Sequence, residues 1–187
     1  VHVAVGLGNP GTRYAGTRHN LGFRVVETLA ERRNGSWVKA STYLHSQIDL
    51  EFGPLLLVIP TTFMNSSGVA ASDVMDRFSP RLKDLIVIFD DVHLDLGRNR
   101  IRRRGSDGGH NGLSSVTSSL DSCEIARLRM GIGEPPPGSG LIDFVLGEFF
   151  QNEKKIVEAQ ILRASEALEC WVDRGLEEAM NRFNSLE

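Results

Sequence analysis

Apolar residues in this chain fall into two patterns that alternate from the N-terminus onward. Residues 2–7 form a short valine-rich run followed by glycine, and Leu21, Val25, Val26, Leu29 and Ala30 then recur at helical spacing. This predicts a strand, then a helix over about 21–33. Residues 43–50 alternate in part, whereas 55–59 and 85–89 are continuous apolar runs of the kind that form buried strands. Between those runs Ala70, Val74 and Phe78 share one face of a helix over 69–78, which Pro80 ends. Residues 98–104 read as a strand, 112–120 as a helix and 125–132 as a strand, with glycine- or proline-rich loops at 104–112 and 134–140. In the tail, Val157, Ile161, Ala164, Leu168 and Trp171 follow one stripe and predict a long C-terminal helix. Buried strands alternating with amphipathic helices predict one α/β domain over 1–187, a mixed central β-sheet flanked by α-helices.

Composition narrows this picture. The chain has 187 residues, 41% hydrophobic and 24% charged, enough for one core and without a disorder signature. No apolar run approaches the ~18 residues of a membrane span, and the N-terminus lacks the layout of a signal peptide, so no membrane role is expected. Cys123 and Cys170 show neither metal-ligand spacing nor a disulfide framework. A cytoplasmic location is expected, or an organellar one if a targeting peptide has been removed.

The net charge of −3 conceals an uneven distribution. Five arginines occupy the seven positions 98–104, while from Glu148 onward nine carboxylates stand against five bases. Such a stripe predicts a localised anionic partner, against the alternative of a solvated charged strand. In a strand, Arg98, Arg100, Arg102 and Arg104 would share one face at roughly 6.6–6.8 Å spacing, comparable with phosphates along a nucleic-acid strand. Arg103 would point to the other face and pair with the acidic body.

Gly6-Leu7-Gly8-Asn9-Pro10-Gly11 has the letters of a dinucleotide-binding fingerprint. That motif needs a helix opening directly on its glycines, and here about ten polar residues intervene before Leu21. A nucleotide cofactor is therefore not expected. The strand ends carry unusual polar residues instead: Asn9 and His19-Asn20 after the first strand, Met64-Asn65 after the second, Asp90 at the third, and His110-Asn111 in the glycine-rich stretch. Ligands of α/β sheets sit outside such ends. No G-x-S-x-G elbow and no paired zinc-ligand motif is present. What remains is a histidine acting as general base on water, an aspartate fixing its tautomer, and carboxamides orienting substrate and donating to an oxyanion. Taken singly, each residue also has a bland role, as an ordinary loop histidine, a turn asparagine or a capping aspartate.

Six blocks in order, VGLGNPGTRYAGTRHNLGF, VIPTTFMNSSG, IVIFDDVHLDLG, GSDGGHNGL, RLRMGIG and FVLGEF, closely resemble the bacterial-type peptidyl-tRNA hydrolase family. The resemblance implies an esterase that cuts the bond between a peptide and the terminal ribose of tRNA, without metal or other cofactor. By position it implies His19 as the base, Asp90 as its orienting acid, and Asn9, Asn65 and Asn111 as substrate-binding amides, with Asn9 and Asn65 nearest the ester. Tyr14 and Met64 match cleft residues, His110 stands beside Asn111 in the same substrate-binding stretch, and Arg100 and Arg129 fall where the family holds the tRNA 5′-phosphate. The expected partner is thus peptidyl-tRNA, contacted at its acceptor end and 5′-phosphate by a monomer. Phe89 departs from the family's frequent histidine before the aspartate, and Asp107 adds an acid to the glycine-rich loop. Two other readings stay open at this level: an RNA-binding relative that has lost hydrolysis, and, more distantly, a nucleotide-cofactor enzyme.

Overall fold

The continuous apolar runs become the centre of the sheet. In the structure, a computed structural model that describes residues 1–185, the strands are β1 (His2–Gly6), β2 (Val38–Lys39), β3 (Tyr43–Leu50), β4 (Gly53–Pro60), β5 (Leu85–Asp91), β6 (Asn99–Arg102) and β7 (Ala126–Gly131). Residues 186 and 187 of the expected domain lie outside the described residues. The strand order is β2-β3-β4-β1-β5-β7-β6. β4, β1, β5 and β7 are mutually parallel; β3 and β6 run antiparallel to them on the two sides, and β2 pairs antiparallel with β3 at the edge.

Alternation along each central strand divides the core in two. Val3, Val5, Val87 and Phe89 meet α2 (Ser67–Phe78) and α3 (Asn111–Ser119) on one face. Ala4, Ile86 and Ile88 meet α1 (Leu21–Arg32) and α5 (Lys154–Arg174) on the other. A short α4 (Leu141–Val145) precedes α5, and α6 (Leu176–Phe183) follows it. The expected α/β class, mixed sheet and long C-terminal helix are all present. No helix among the described residues is long and apolar enough to cross a membrane.

One element is added to the pattern-based expectation and one differs from it. Gly175, at φ +88°, ends the long tail helix, and the further helix α6 turns back over the edge strand β6. There Asn184 accepts the Ile101 N–H at 2.6 Å and donates to the Ile101 carbonyl at 2.9 Å. A side-chain amide thus stands in for a neighbouring strand and covers an exposed sheet edge. The arginine strand is also shorter than 98–104. It runs from Asn99 to Arg102, so Arg98 lies outside it; Arg102 pairs with Arg127, one residue from the start of β7, where the ladder runs out. Beyond it Arg103 pairs with Glu177 and Arg104 with Glu124, each at 2.9 Å. Arg103 does reach the acidic body; Arg104 does not share a strand face with Arg100 and Arg102.

The glycines at the end of β1 serve close packing. A Cβ on Gly6 would run into the backbone of Gly22, and one on Gly22 into Leu7 and Ile88. The start of α1 is therefore pressed onto the β1–β5 strand ends. The loop between them makes two 3-10 turns, Thr12–Tyr14 and Arg18–Asn20, which present Asn9 and His19 at the carboxyl ends of the parallel strands.

Candidate active site

His19 is held between two fixed neighbours. Its predecessor Arg18 is buried, with its guanidinium over the rings of Phe144, Phe149 and Phe150 and paired with Glu153 at 3.2 Å. Its successor Asn20 clamps Asn9, accepting the Asn9 N–H and donating to the Asn9 carbonyl, both at 2.9 Å. The imidazole between them sets Nδ1 at 2.9 and 3.0 Å from the two oxygens of Asp90. Asp90 is buried near the end of β5 and receives a second histidine: His110 Nε2 lies 3.0 Å from its Oδ1.

Hydrogen-bond accounting fixes the protons. His110 caps α3, and its Nδ1 accepts the Leu113 N–H at 3.2 Å. A neutral imidazole that accepts at Nδ1 carries its hydrogen on Nε2, so His110 donates to Asp90. Burial alone would raise the Asp90 carboxyl, but the hydrogen bonds from His110 and His19 outweigh it and hold the group well below the usual carboxylate range. Asp90 thus stays ionised and accepts from both rings. His19 donates through Nδ1, and among the described residues its Nε2 has no protein partner. That atom is the acceptor left for a ligand on the cleft.

The cleft is lined by His19, Asp90, His93, His110, Asn111 and, from α4, Ile142. His93 also belongs to this rim, a position that no motif in the sequence singles out for a role. Leu141 and Ile142 are 50% and 72% exposed, an apolar wall beside the imidazoles. Phe89, in place of the family's frequent histidine, is buried with its ring centroid 4.8 Å from that of His110, so it packs the second imidazole instead of bonding to it. Asp107 builds the loop turn: its Oδ1 accepts the Gly109 N–H at 2.8 Å and its carbonyl the His110 N–H at 3.0 Å.

The remaining candidate residues divide. Asn9 does not line the His19 cleft but a second groove, with Pro10, Asn20 and Phe23; its Oδ1 accepts the Met64 N–H at 2.8 Å, which leaves its NH₂ as the end available to a substrate. Met64 itself is buried, packed with Leu7 and Leu113; what it gives the site is its backbone donor. Asn65 is exposed in the 3-10 turn Met64–Ser66. Tyr14 is half-buried beside Arg13 and does not line the His19 cleft. Arg100 and Arg129 face each other across the β6–β7 pair. Arg129 is bound to Asp91 at 2.6 Å, whereas the Arg100 Nε is buried without a partner. Desolvation, and then the charges of Arg102, Arg98 and Arg129, push the Arg100 guanidinium below its usual pKa.

Among the described residues, the groups of metal-ligand type that gather together are His19, Asp90 and His110, with ligand atoms within 4.8 Å of one another. Their mutual contacts are already satisfied as hydrogen bonds. Asn20 and Arg18 act on the site but carry no chemistry, and in the sequence only their places beside His19 single them out.

A largely parallel α/β scaffold with an imidazole–carboxylate pair and carboxamides at its strand ends is an arrangement that can perform acid–base chemistry at that rim. Comparison with known proteins then gives the particular kind: residues 3–187 match the peptidyl-tRNA hydrolase family, and the chain belongs to it. It is 48% identical over 185 residues to the peptidyl-tRNA hydrolase of Thermotoga sp. strain RQ2, spanning 99% of this chain and 98% of that protein. It is 46% identical to the enzyme of Syntrophomonas wolfei, spanning 96% and 98%. The crystal structure of peptidyl-tRNA hydrolase from Acinetobacter baumannii superposes with a TM-score of 0.93 at 30% identity, covering all of this chain and 96% of that one.

Proposed function

We propose that this chain, acting as a single-domain monomer, hydrolyses the ester between a peptide and the terminal ribose of tRNA, with His19 Nε2 as the general base. The observation that carries the reading is the His19–Asp90 bond, which commits Nδ1 as a donor and leaves Nε2 free on the cleft. A water there gives its proton to Nε2 as its oxygen attacks the ester carbonyl carbon. The imidazolium formed is stabilised by the Asp90 carboxylate. The Asn9 NH₂, with its orientation set by the Met64 N–H on Oδ1, donates to the developing oxyanion. When the carbon–oxygen bond to ribose breaks, the proton passes from Nε2 to the leaving oxygen, releasing a tRNA with its terminal hydroxyl restored and a peptide acid, which gives its remaining water-derived proton to solvent and leaves as the carboxylate. Asn65 and Asn111 hold the acceptor end, Tyr14 and Met64 shape the approach to Asn9, and His110 keeps Asp90 in place. No metal or cofactor enters the scheme.

The test is ester cleavage on an N-blocked aminoacyl-tRNA beside the free aminoacyl-tRNA. Cleavage of the blocked substrate alone is expected. Tight binding of both without cleavage would move the assignment to an RNA-binding relative of the same scaffold.

Arg100 and Arg129 are assigned to the 5′-phosphate, with Arg100 the cation not already neutralised by a carboxylate. Arg100→Ala is expected to weaken tRNA binding and to reduce the slope of log K against log salt by about 0.7–0.9, the loss of one phosphate contact. Binding titrations of deacylated tRNA at several salt concentrations measure it. An unchanged slope would take this arginine off the RNA.

A further inference from the structure

Arg127 sits in β7, in register with Val87 of β5 and Arg102 of β6. It lies in the most arginine-rich part of the chain, yet it is only 2% exposed. Carbonyl oxygens surround its guanidinium. Nη1 donates to Gly105 O and Ser106 O, both at 2.8 Å; Nη2 donates to Cys123 O and Ile125 O at 3.1 Å; Nε donates to Ile125 O at 3.2 Å. One planar fork therefore joins the turn leading into β7 to the loop that leaves β6. Desolvation lowers its pKa. A buried charge of this kind persists where the fold gains a specific geometry from it.

The loop it grips is the glycine-rich segment that delivers His110 and Asn111 to the cleft. Gly105, Gly108 and Gly109 all have positive φ, at +155°, +60° and +82°, so this backbone carries the large conformational freedom of glycine. Asp107 closes a turn within the loop but does not fasten it to the domain. Among the described residues, the hydrogen bonds tying 105–107 to the body of the protein are the two from Arg127 Nη1. His110 and Asn111 follow directly.

We infer that Arg127 is a positioning residue for hydrolysis: it pins the 105–110 loop so that His110 meets Asp90 and Asn111 faces the substrate. The inference rests on the proposed roles of those two residues. Arg127 touches neither substrate nor reacting atoms and contacts no phosphate.

Arg127→Lys tests it, because lysine keeps the charge but places its donors on one atom and cannot span both chain segments. With an N-blocked aminoacyl-tRNA as substrate, kcat/KM is expected to fall roughly 10–100-fold, the scale of a misplaced catalytic constellation. In a His110→Ala background the same change should cost clearly less than it does in the wild type, the remainder acting through Asn111, since residues acting through one another are not additive. Full additivity with an impaired His110→Ala enzyme overturns the Arg127 proposal alone. Wild-type activity in His110→Ala overturns the reading of His110 and the proposal with it. Backbone ¹⁵N order parameters of the wild-type protein give a measurement that does not depend on the variant folding: residues 105–109 are expected near the rigid value of about 0.85. Values below about 0.6 there would show that nothing pins the loop and would overturn the inference.

Discussion

His19→Ala is expected to lower kcat by roughly 10²–10⁴-fold, the range of a lost general base, with little change in affinity for tRNA. The substitution removes the acceptor Nε2 from the cleft while leaving the structure around it in place. Arg18 remains seated among Phe144, Phe149 and Phe150, and Asn20 still holds both backbone groups of Asn9. Asp90 keeps the His110 N–H at 3.0 Å, so its buried carboxylate is not left without a donor. Single-turnover cleavage of an N-blocked aminoacyl-tRNA, set beside equilibrium binding of deacylated tRNA, separates chemistry from binding. Added imidazole should restore part of the rate by occupying the vacated space. An equal loss of turnover and affinity would make His19 a binding residue and end its assignment as the base.

Much of the frame behind this prediction was legible in the sequence, for reasons that also mark where legibility stops. Residues 55–59 and 85–89 read as buried strands because both faces of a central parallel strand are covered, which leaves no polar alternation. That His19, Asp90 and Asn111 share one cleft was legible because polar residues crowd the ends of apolar strands there, more than turns alone would need. The further helix beyond Gly175 was hidden by the strength of the stripe from Val157 to Trp171. The contact of Asn184 with β6 is a tertiary event with no local signature. Charge misled most. The arginines between 98 and 129 looked like one basic surface, but Arg127 is buried among carbonyls, and Arg103, Arg104 and Arg129 are bound to Glu177, Glu124 and Asp91. Counting charges along a chain cannot separate a cation facing solvent from one already neutralised, so the surface left for an anionic partner narrows to Arg98, Arg100 and Arg102. The doubled histidine on Asp90 was equally hidden. His110 was visible as a polar residue, but its proton position depends on the Leu113 N–H, a contact made only when α3 starts there.

Asp90→Asn is expected to cost roughly 10²–10⁴-fold in turnover at nearly unchanged shape, through the proton on His19 more than through lost contacts. In the native site one carboxylate accepts from two rings: Oδ1 lies 2.9 Å from His19 Nδ1 and 3.0 Å from His110 Nε2, and Oδ2 lies 3.0 Å from His19 Nδ1. Asparagine can keep an oxygen at only one of those places. Because His110 is committed by its bond from Leu113, the amide oxygen belongs at Oδ1, and the NH₂ takes the place of Oδ2, 3.0 Å from His19 Nδ1. An Nδ1–H there opposes the NH₂ and must share with His110 the Oδ1 that lies 2.9 Å away, so His19 shifts toward the other tautomer, which accepts the NH₂ at Nδ1. Its Nε2 then carries the hydrogen and can no longer take one from water, and the imidazolium formed in hydrolysis would also lack its counter-charge. Imidazole ¹⁵N shifts report this directly: neutral His19 should be protonated at Nδ1 in the native enzyme and at Nε2 in Asp90→Asn. A variant that keeps the native tautomer and turns over within about threefold of the native rate would remove Asp90 from the mechanism, since the tautomer and the counter-charge are the two routes by which it acts.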